Sequence, residues 1–249
     1  MDRCKGIILA AALAALTVPA AVAGDKAGLN VSAGVEKDFG KKWSVSAETE
    51  FRSRNNFRTA DRWSIGINGE YKPVKYFKIS AGYTFLYDNF PEKITYNDDG
   101  DYNNWRPSYW GSRHRVNVSL TGSVTAGRFK FSLRERWQYT YRPEQTTTRY
   151  DFDNAKWEDT RVRAKGNNVL RSRIRAEWNI RGSKVDPYAD VEFFNSWALS
   201  KIRYTVGAEW KPRKQHTFTL FYRYQQVNND DFDNEPNLHI IGLGYNFKF

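Results

Sequence analysis

Basic side chains recur at alternating positions along three consecutive stretches of the sequence. These residues are Arg115, Lys130, Arg134, Arg136, Arg171, Arg173 and Arg175. Alternate residues of an extended strand share one face, so the pattern predicts a positively charged wall. Two interpretations remain open. Glutamates at positions 48, 50, 70, 192 and 209 could pair with this wall and fill the interior, or the wall could select anionic solutes, as arginine tracks do in anion pores.

Catalytic and metal chemistry find little support in the sequence. A nucleophile needs a base within hydrogen-bond reach, and of the three histidines only His114 has a nearby serine, Ser112, on its face. We interpret that pair as structural. The acidic stretches 97–101 and 228–235 carry oxygen ligands, but their spacing matches no calcium loop, so we predict solvated loops. We expect no enzymatic activity, no metal and no cofactor.

Ten segments that could position the basic wall alternate between apolar and polar residues. They begin near Trp43, Trp63, Phe77, Arg115, Phe129, Arg171, Tyr188, Lys201, His216 and Leu238. Each is close to the ~9–11 residues that a tilted strand needs to cross a bilayer. Short connections (72–76, 125–128, 181–187 and 211–215) alternate with long polar ones (53–62, 88–112, 142–167 and 226–236). The sequence therefore predicts an all-β fold, a transmembrane antiparallel β-barrel with short periplasmic turns and long extracellular loops.

The N-terminal segment leaves two strand numbers open. Residues 29–39 also alternate and would run in the same direction as the last strand, which would make eleven strands. Because bacterial single-chain barrels have even strand numbers, we predict about ten strands plus an N-terminal strand or plug, with about twelve as the alternative.

The short turns also predict register. The 125–128 turn would place His114 opposite Tyr139 and Glu135 opposite Val118. Glu135 falls on the lipid face at mid-strand, where an acidic group is costly, so we expect a bulge to rotate it inward. The 72–76 turn would place Glu70 directly opposite Lys78 inside the barrel.

Both ends of the chain predict export to a bacterial outer membrane. Residues 1–23 read as a signal peptide cleaved between Ala23 and Gly24, which would leave one barrel domain over 24–249. The final strand ends on alternating aromatics, and we expect Tyr245, Phe247 and Phe249 to form the signal for the barrel-insertion machinery. The net charge of +11 would indicate nucleic acid in a cytosolic protein. In an exported chain it indicates lumen lining and contact with outer-membrane lipid and lipopolysaccharide, so we expect no nucleic-acid partner.

Five short stretches resemble a family of uncharacterised outer-membrane barrels of Gram-negative bacteria, grouped only as a domain of unknown function. They are 42–48 followed by Arg52, Asp186-Pro187-Tyr188, 199–207, 221–225 and 240–245. The resemblance implies an outer-membrane location and a barrel fold for essentially the whole mature chain. It supplies no activity.

Three functional hypotheses follow. The favoured one is a structural or narrow-channel barrel with a basic, anion-preferring lumen. The first alternative is a surface-binding protein that acts through its long extracellular loops, and the second is an outer-membrane lipid-modifying hydrolase. The sequence does not specify the oligomeric state.

Overall fold

The computed structural model describes residues 26–228 and 235–249, which form β-strands joined by turns. The strands are β1 (Lys26–Phe39), β2 (Trp43–Arg54), β3 (Thr59–Val74), β4 (Phe77–Phe90), β5 (Lys93–Tyr96), β6 (Tyr102–Arg106), β7 (Tyr109–Ala126), β8 (Phe129–Arg142), β9 (Gln145–Asp151), β10 (Lys156–Val162), β11 (Lys165–Trp178), β12 (Val185–Ser196), β13 (Ala198–Arg213), β14 (His216–Val227) and β15 (Leu238–Lys248). No helix among these residues is long and apolar enough to cross a membrane. The predicted signal peptide and its Ala23–Gly24 cleavage site lie outside the described residues.

Eleven of the strands close into one barrel in the order β1-β15-β14-β13-β12-β11-β8-β7-β4-β3-β2. The all-β barrel prediction is confirmed, and the strand number falls between the ten and twelve expected. Consecutive wall strands pair antiparallel, whereas β1 pairs with β15 in parallel, from Lys26 beside Leu238 to Glu36 beside Lys248. The N-terminal segment is thus a wall strand. It runs in the same direction as the last strand, so an odd number of strands closes without a free edge.

The two faces of the wall differ as a membrane-spanning barrel requires. Ile65, Ile67, Leu133, Ile174 and Val206 each expose more than half of their surface on the outer face. Contiguous apolar surface on this scale indicates contact with lipid or protein, and alternation around a closed barrel indicates lipid. The residues that alternate with them along each strand point into the lumen, where charged and polar side chains are buried.

The connections define two ends of the barrel. Residues 40–42, 75–76, 127–128, 179–184 and 214–215 form short turns at one end, called the turn end here. The other end, the loop end, carries the longer connections. There β5, β6, β9 and β10 form a separate four-stranded sheet in the order β10-β9-β6-β5. The predicted 53–62 loop is shorter than expected, because β2 and β3 extend until Arg54 pairs with Thr59.

The β7–β8 register differs from the prediction by two residues. Ala126 pairs with Phe129 across a two-residue turn, in which Gly127 adopts a φ of 61°. A tighter turn shifts every pair by two, so His114 faces Tyr141 and not Tyr139. A shift of two keeps each residue on its predicted face because the side-chain period is two.

The prediction that a bulge rotates Glu135 of β8 into the lumen is wrong. No bulge interrupts β8 against either neighbour, so Glu135 stays on the outer face, opposite Leu120 of β7 and Ser172 of β11. The Ser172 hydroxyl donates to its Oε2 at 2.7 Å. A hydrogen bond between two neighbouring polar groups replaces the inward rotation that we expected.

The predicted Glu70–Lys78 pairing is wrong in register and right in location. Glu70 faces Ser80, because the β3–β4 turn contains an irregularity between Tyr71 and Val74. Both charged side chains nevertheless lie on the lumen faces of the adjacent strands β3 and β4. Lys78 Nζ lies 2.7 Å from Glu70 Oε2, diagonally across the two strands.

Candidate functional site

A polar cavity of about 400 Å³ occupies the middle of the lumen. Its charged lining comes from β2, β3, β7, β8, β11, β12, β13, β14 and the loop before β15. Ten of these side chains are basic and four acidic: Arg52, Arg62, Arg115, Arg134, Arg136, Arg171, Arg173, Lys201, Arg203 and Arg223 against Glu48, Glu50, Glu192 and Glu235. The formal excess of six positive charges makes this cavity the candidate functional site.

All seven predicted basic residues lie on lumen-facing positions, and five of them line the cavity: Arg115, Arg134, Arg136, Arg171 and Arg173. The other two lie nearer the turn end in ion pairs. Lys130 contacts Glu177 at 3.1 Å, and Arg175 contacts Glu209 at 2.6 Å. The predicted wall therefore divides into a cavity group and a paired group.

Four arginines of the cavity group form what we call the arginine square. In the β8–β11 register Arg136 faces Arg171, and Arg134 faces Arg173. Like charges directly opposite on one face of a sheet repel each other. The square therefore requires compensating negative charge.

Glu192 of β12 supplies the carboxylate that contacts the square. Its side chain is buried and accepts from Arg171 Nη2 at 2.8 Å and from Arg171 Nε at 3.2 Å. Arg134 Nη2 donates to the same carboxylate. Arg134 and Arg171 are diagonal corners of the square, so the remaining diagonal, Arg136 and Arg173, has no carboxylate contact of this kind.

The remaining diagonal is poorly hydrogen-bonded. Arg136 Nε donates to Ser119 Oγ at 2.8 Å. Arg173 forms no hydrogen bond or ion pair with any residue in the described parts of the chain, and its buried Nε lacks an acceptor. A buried guanidinium donor without an acceptor is costly, so this diagonal retains hydrogen-bonding capacity that the described residues do not use.

A network of charged side chains narrows the loop end of the lumen. Arg62 and Arg113 both donate to Asp88, and all three side chains are almost fully buried. Glu235 enters beside them and contacts Lys201 Nζ at 2.8 Å and Arg203 Nη2 at 3.5 Å. These buried side chains narrow the lumen beside the cavity.

The pKa of the Glu235 carboxyl is strongly lowered. Burial alone would raise the pKa of its carboxyl, but Lys201, Arg203, Arg62 and Arg52 outweigh burial and hold that pKa well below its ordinary value of 4.5. The group is therefore a carboxylate at any physiological pH, and its ion pairs persist.

Each of the three histidines is hydrogen-bonded to a tyrosine. His114 Nδ1 lies 2.7 Å from the Tyr83 hydroxyl on the outer face, and His239 Nδ1 lies 2.6 Å from the Tyr222 hydroxyl. His216 Nδ1 similarly lies 3.0 Å from the hydroxyl of Tyr245. The structure does not join any of these imidazoles to a serine among the described residues, and the His114–Ser112 pair gains no catalytic geometry.

The acidic loops do not gather into a metal site in the part of the chain that the structure describes. No three His, Cys, Asp or Glu side chains there are placed to hold a metal ion. In the 97–101 stretch Asn97 caps a turn, since its Oδ1 accepts from the Asp101 amide at 2.8 Å. Most of the 228–235 stretch lies outside the described residues.

The four-stranded sheet at the loop end carries a row of aromatic side chains. Trp105 faces Tyr150, and Tyr150 faces Trp157, so three neighbouring strands each contribute one ring. Ring centroids of Trp105 and Trp157 lie 5.6 Å apart, and Trp157 is 54% exposed. Exposed aromatic rows of this kind occur where a protein binds a partner.

Sequence reasoning missed half of the cavity's basic residues: Arg52, Arg62, Lys201, Arg203 and Arg223. Each occupies an alternating lumen position, as the predicted ones do. A signal was present in Lys201 and Arg203, two residues apart on one strand, but their partner Glu235 belongs to a loop and cannot be placed by alternation.

Comparison with known proteins identifies a family. A family model described as "Protein of unknown function (DUF2490)" matches residues 28–235, and the chain belongs to that family. No curated protein matches.

Similar solved structures include three barrels. The β domain of the Bordetella autotransporter BrkA has a TM-score of 0.47 at 13% identity over 75% of this chain and 77% of that one. The NanC porin has a TM-score of 0.43 at 11% identity, covering 86% and 92%. The CymD monoaromatic hydrocarbon channel has a TM-score of 0.39 at 7% identity, covering 82% and 83%.

Proposed function

We propose that this member of a family without an assigned function is a bacterial outer-membrane barrel whose narrow lumen admits small anions. The observation that carries the proposal is the cavity lining, with ten basic and four acidic side chains. A fixed positive potential in a confined aqueous space concentrates anions and excludes cations. Eleven strands enclose a lumen wider than that of about eight strands, which side chains fill, and narrower than that of a porin with about 16–18 strands.

The proposal includes orientation and assembly. The loop end faces outside the cell, and the mature chain begins at Gly24. Tyr245 and Phe247 lie on the outer face of β15, and the Phe249 ring beyond the strand contacts Phe247. The insertion machinery recognises these three residues, and lipopolysaccharide surrounds the apolar band. N-terminal sequencing of protein extracted from membranes tests the cleavage, and Met1 at the N-terminus would contradict it.

Ion selectivity in a planar bilayer tests the function. The mature protein, under a potassium chloride gradient, should give a reversal potential of the sign that anion preference produces. Replacing Arg134, Arg136 and Arg173 with Ser should lower or reverse that preference. A matched control replaces Arg149, Arg161 and Arg163 with Ser, because these lie in or beside the loop-end sheet, away from the cavity.

Two results would contradict the proposal. One is cation preference in the wild-type barrel. The other is absence of conductance in the wild-type barrel; loss of folding in the lumen variant alone would then assign the arginines a structural role.

A surface-binding role is the second candidate, and the aromatic row on the loop-end sheet favours it. Trp157 and Tyr102 each expose about half of their surface there, at 54%. Proteoliposomes that carry the barrel should adhere to purified cell-surface polysaccharide, and replacing Trp105 and Trp157 with Ala should abolish adhesion. Replacing Trp43 and Trp210 with Ala is the control, because these rings lie at the turn end. Equal adhesion of both variants would rule out the aromatic row. An enzymatic role gains no residue arrangement from the described chain, and we propose that the barrel is not an enzyme.

A further inference from the structure

We propose that the second diagonal of the arginine square, Arg136 and Arg173, binds one small organic anion that bears two acidic groups, of the short dicarboxylate class. The proposal rests on the proposed function insofar as anions must reach the lumen. It goes further, because it assigns a ligand and two residues that hold it.

The charge arrangement favours a counter-ion at this diagonal. Arg136 faces Arg171, and Arg173 faces Arg134, so four guanidinium groups share one patch of wall. Glu192 lies opposite Arg173 in the β11–β12 register, but its carboxylate is hydrogen-bonded to Arg134 and Arg171. The two arginines on the other diagonal therefore remain positive without a bonded carboxylate among the described residues.

The hydrogen-bonding capacity of this diagonal is also unused. A guanidinium group carries five N–H donors in a fork that matches an oxyanion. Arg136 Nε donates a hydrogen bond to Ser119 Oγ. Arg173 donates no hydrogen bond to any described residue, although its Nε is buried. Both side chains line the cavity, so their free donors can reach a solute there.

The dimensions favour a ligand with two acidic groups. Diagonal neighbours on adjacent antiparallel strands lie roughly 7–8 Å apart at their Cα atoms. A monocarboxylate offers one acidic group, whereas a short dicarboxylate offers one acidic group to each of the two guanidinium forks. The cavity of about 400 Å³ falls in the usual range for small-molecule sites and accommodates such a ligand.

Calorimetric titration of the full mature barrel in detergent tests the site without requiring conductance. The probes are succinate, glutarate, acetate and inorganic phosphate at matched ionic strength. We expect the dicarboxylates to bind the wild type at least about ten-fold more tightly than acetate, since they engage a second arginine. Replacing Arg136 and Arg173 together with Gln should weaken dicarboxylate binding at least about ten-fold. Arg175→Gln is the matched control, because Arg175 has the same face and charge but lies outside the cavity and contacts Glu209.

Thermal unfolding separates binding from structure. Without ligand, the double Gln variant should melt at the same temperature as the wild type or higher, because the change removes like-charge repulsion. Succinate should raise the melting temperature of the wild type and not that of the variant. The site is overturned if acetate equals the dicarboxylates, if phosphate binds more tightly than both, or if Arg175→Gln loses binding equally.

The two proposals fail in different ways. Dicarboxylate binding in a barrel that conducts nothing would support the site and overturn the channel. Anion-selective conductance without dicarboxylate binding would support the channel and overturn the site.

Discussion

Replacing Glu192 with Gln should destabilise the barrel strongly, because this side chain supplies the carboxylate bonded to the arginine square. Glutamine keeps the size of the side chain and removes its charge. Glu192 is 5% exposed and accepts from Arg134 and twice from Arg171. The variant leaves four arginines facing one another across β8 and β11 with no carboxylate bonded to them.

The expected magnitude follows from burial. Removing one partner of a buried ion pair costs about 3–5 kcal/mol, because the other charge stays buried without compensation. The glutamine oxygen still accepts one hydrogen bond, and the cavity admits water, so we expect about 3 kcal/mol, near the lower end of that range. The matched control is Glu70→Gln, whose partners Lys72 and Lys78 have side chains 47% and 38% exposed. Exposed pairs contribute about 0–1 kcal/mol, and we expect that loss for the control.

Reversible folding into lipid vesicles measures both free energies. Urea titration followed by tryptophan fluorescence gives the free energy of unfolding, and gel mobility without heating reports the folded barrel. Adding Arg134→Gln to Glu192→Gln should recover part of the loss, because the two residues are in contact and their effects are coupled. A loss below about 1 kcal/mol for Glu192→Gln, equal to that of the control, would show that water or bound anions compensate the square and would refute the reasoning.

Three further predictions concern other parts of the barrel. Because the pKa of Glu235 is depressed below 4.5 by its cationic partners, the stabilisation from its ion pairs is complete above 4.5 and is lost only as pH falls through that lower value; the difference in unfolding free energy between the wild type and Glu235→Gln should therefore be unchanged between pH 7 and about 4.5, and a change in this window would contradict the assignment. Gly242→Ala should lower the free energy of unfolding in vesicles, since a Cβ there would lie 1.9 Å from the Phe221 ring and the ring would have to move, whereas Gly122→Ala, with nothing within 4 Å, should leave it unchanged. Glu135→Leu should raise the free energy of unfolding in vesicles by about 1–2 kcal/mol, because it removes an acidic group from the lipid face; a decrease would show that the hydrogen bond from Ser172 outweighs the cost of the acidic group there.

The strands could be predicted from sequence because one face of each strand contacts lipid and the other contacts the aqueous lumen. Alternation placed all ten regular wall strands and the lumen face of all seven basic residues, since a period of two depends only on local sequence. The eleventh strand was visible in residues 29–39, but an even strand number was assumed. What closes the barrel is the direction of β1, which runs parallel to β15 and is held at its end by Lys248 Nζ, 2.6 Å from Glu36 Oε1.

Register and pairing could not be predicted in the same way. Register depends on turn conformation, and the two-residue turn at Gly127 shifted the β7–β8 pairs by two without changing their faces. Ion pairs depend in addition on long side chains that reach diagonally, as Lys78 does to Glu70. The division of the basic wall into paired and unpaired arginines is therefore a property of register and reach, which alternation does not contain.

The sequence places arginines opposite one another across β8 and β11 in the observed register and also in neighbouring registers. In the observed pairing Arg136 faces Arg171, and Arg134 faces Arg173. A slip of two residues one way would place Arg171 opposite Arg134, and a slip the other way would place Arg173 opposite Arg136 and Arg175 opposite Arg134. No small slip between β8 and β11 removes the repulsion, although serine and threonine fill other lumen positions. Negative charge must come from another strand or from a solute, and Glu192 reaches one diagonal of the square. A local conflict that persists in each of these registers is typical of a functional site rather than of a scaffold, and the unpaired diagonal is where an anion would resolve it.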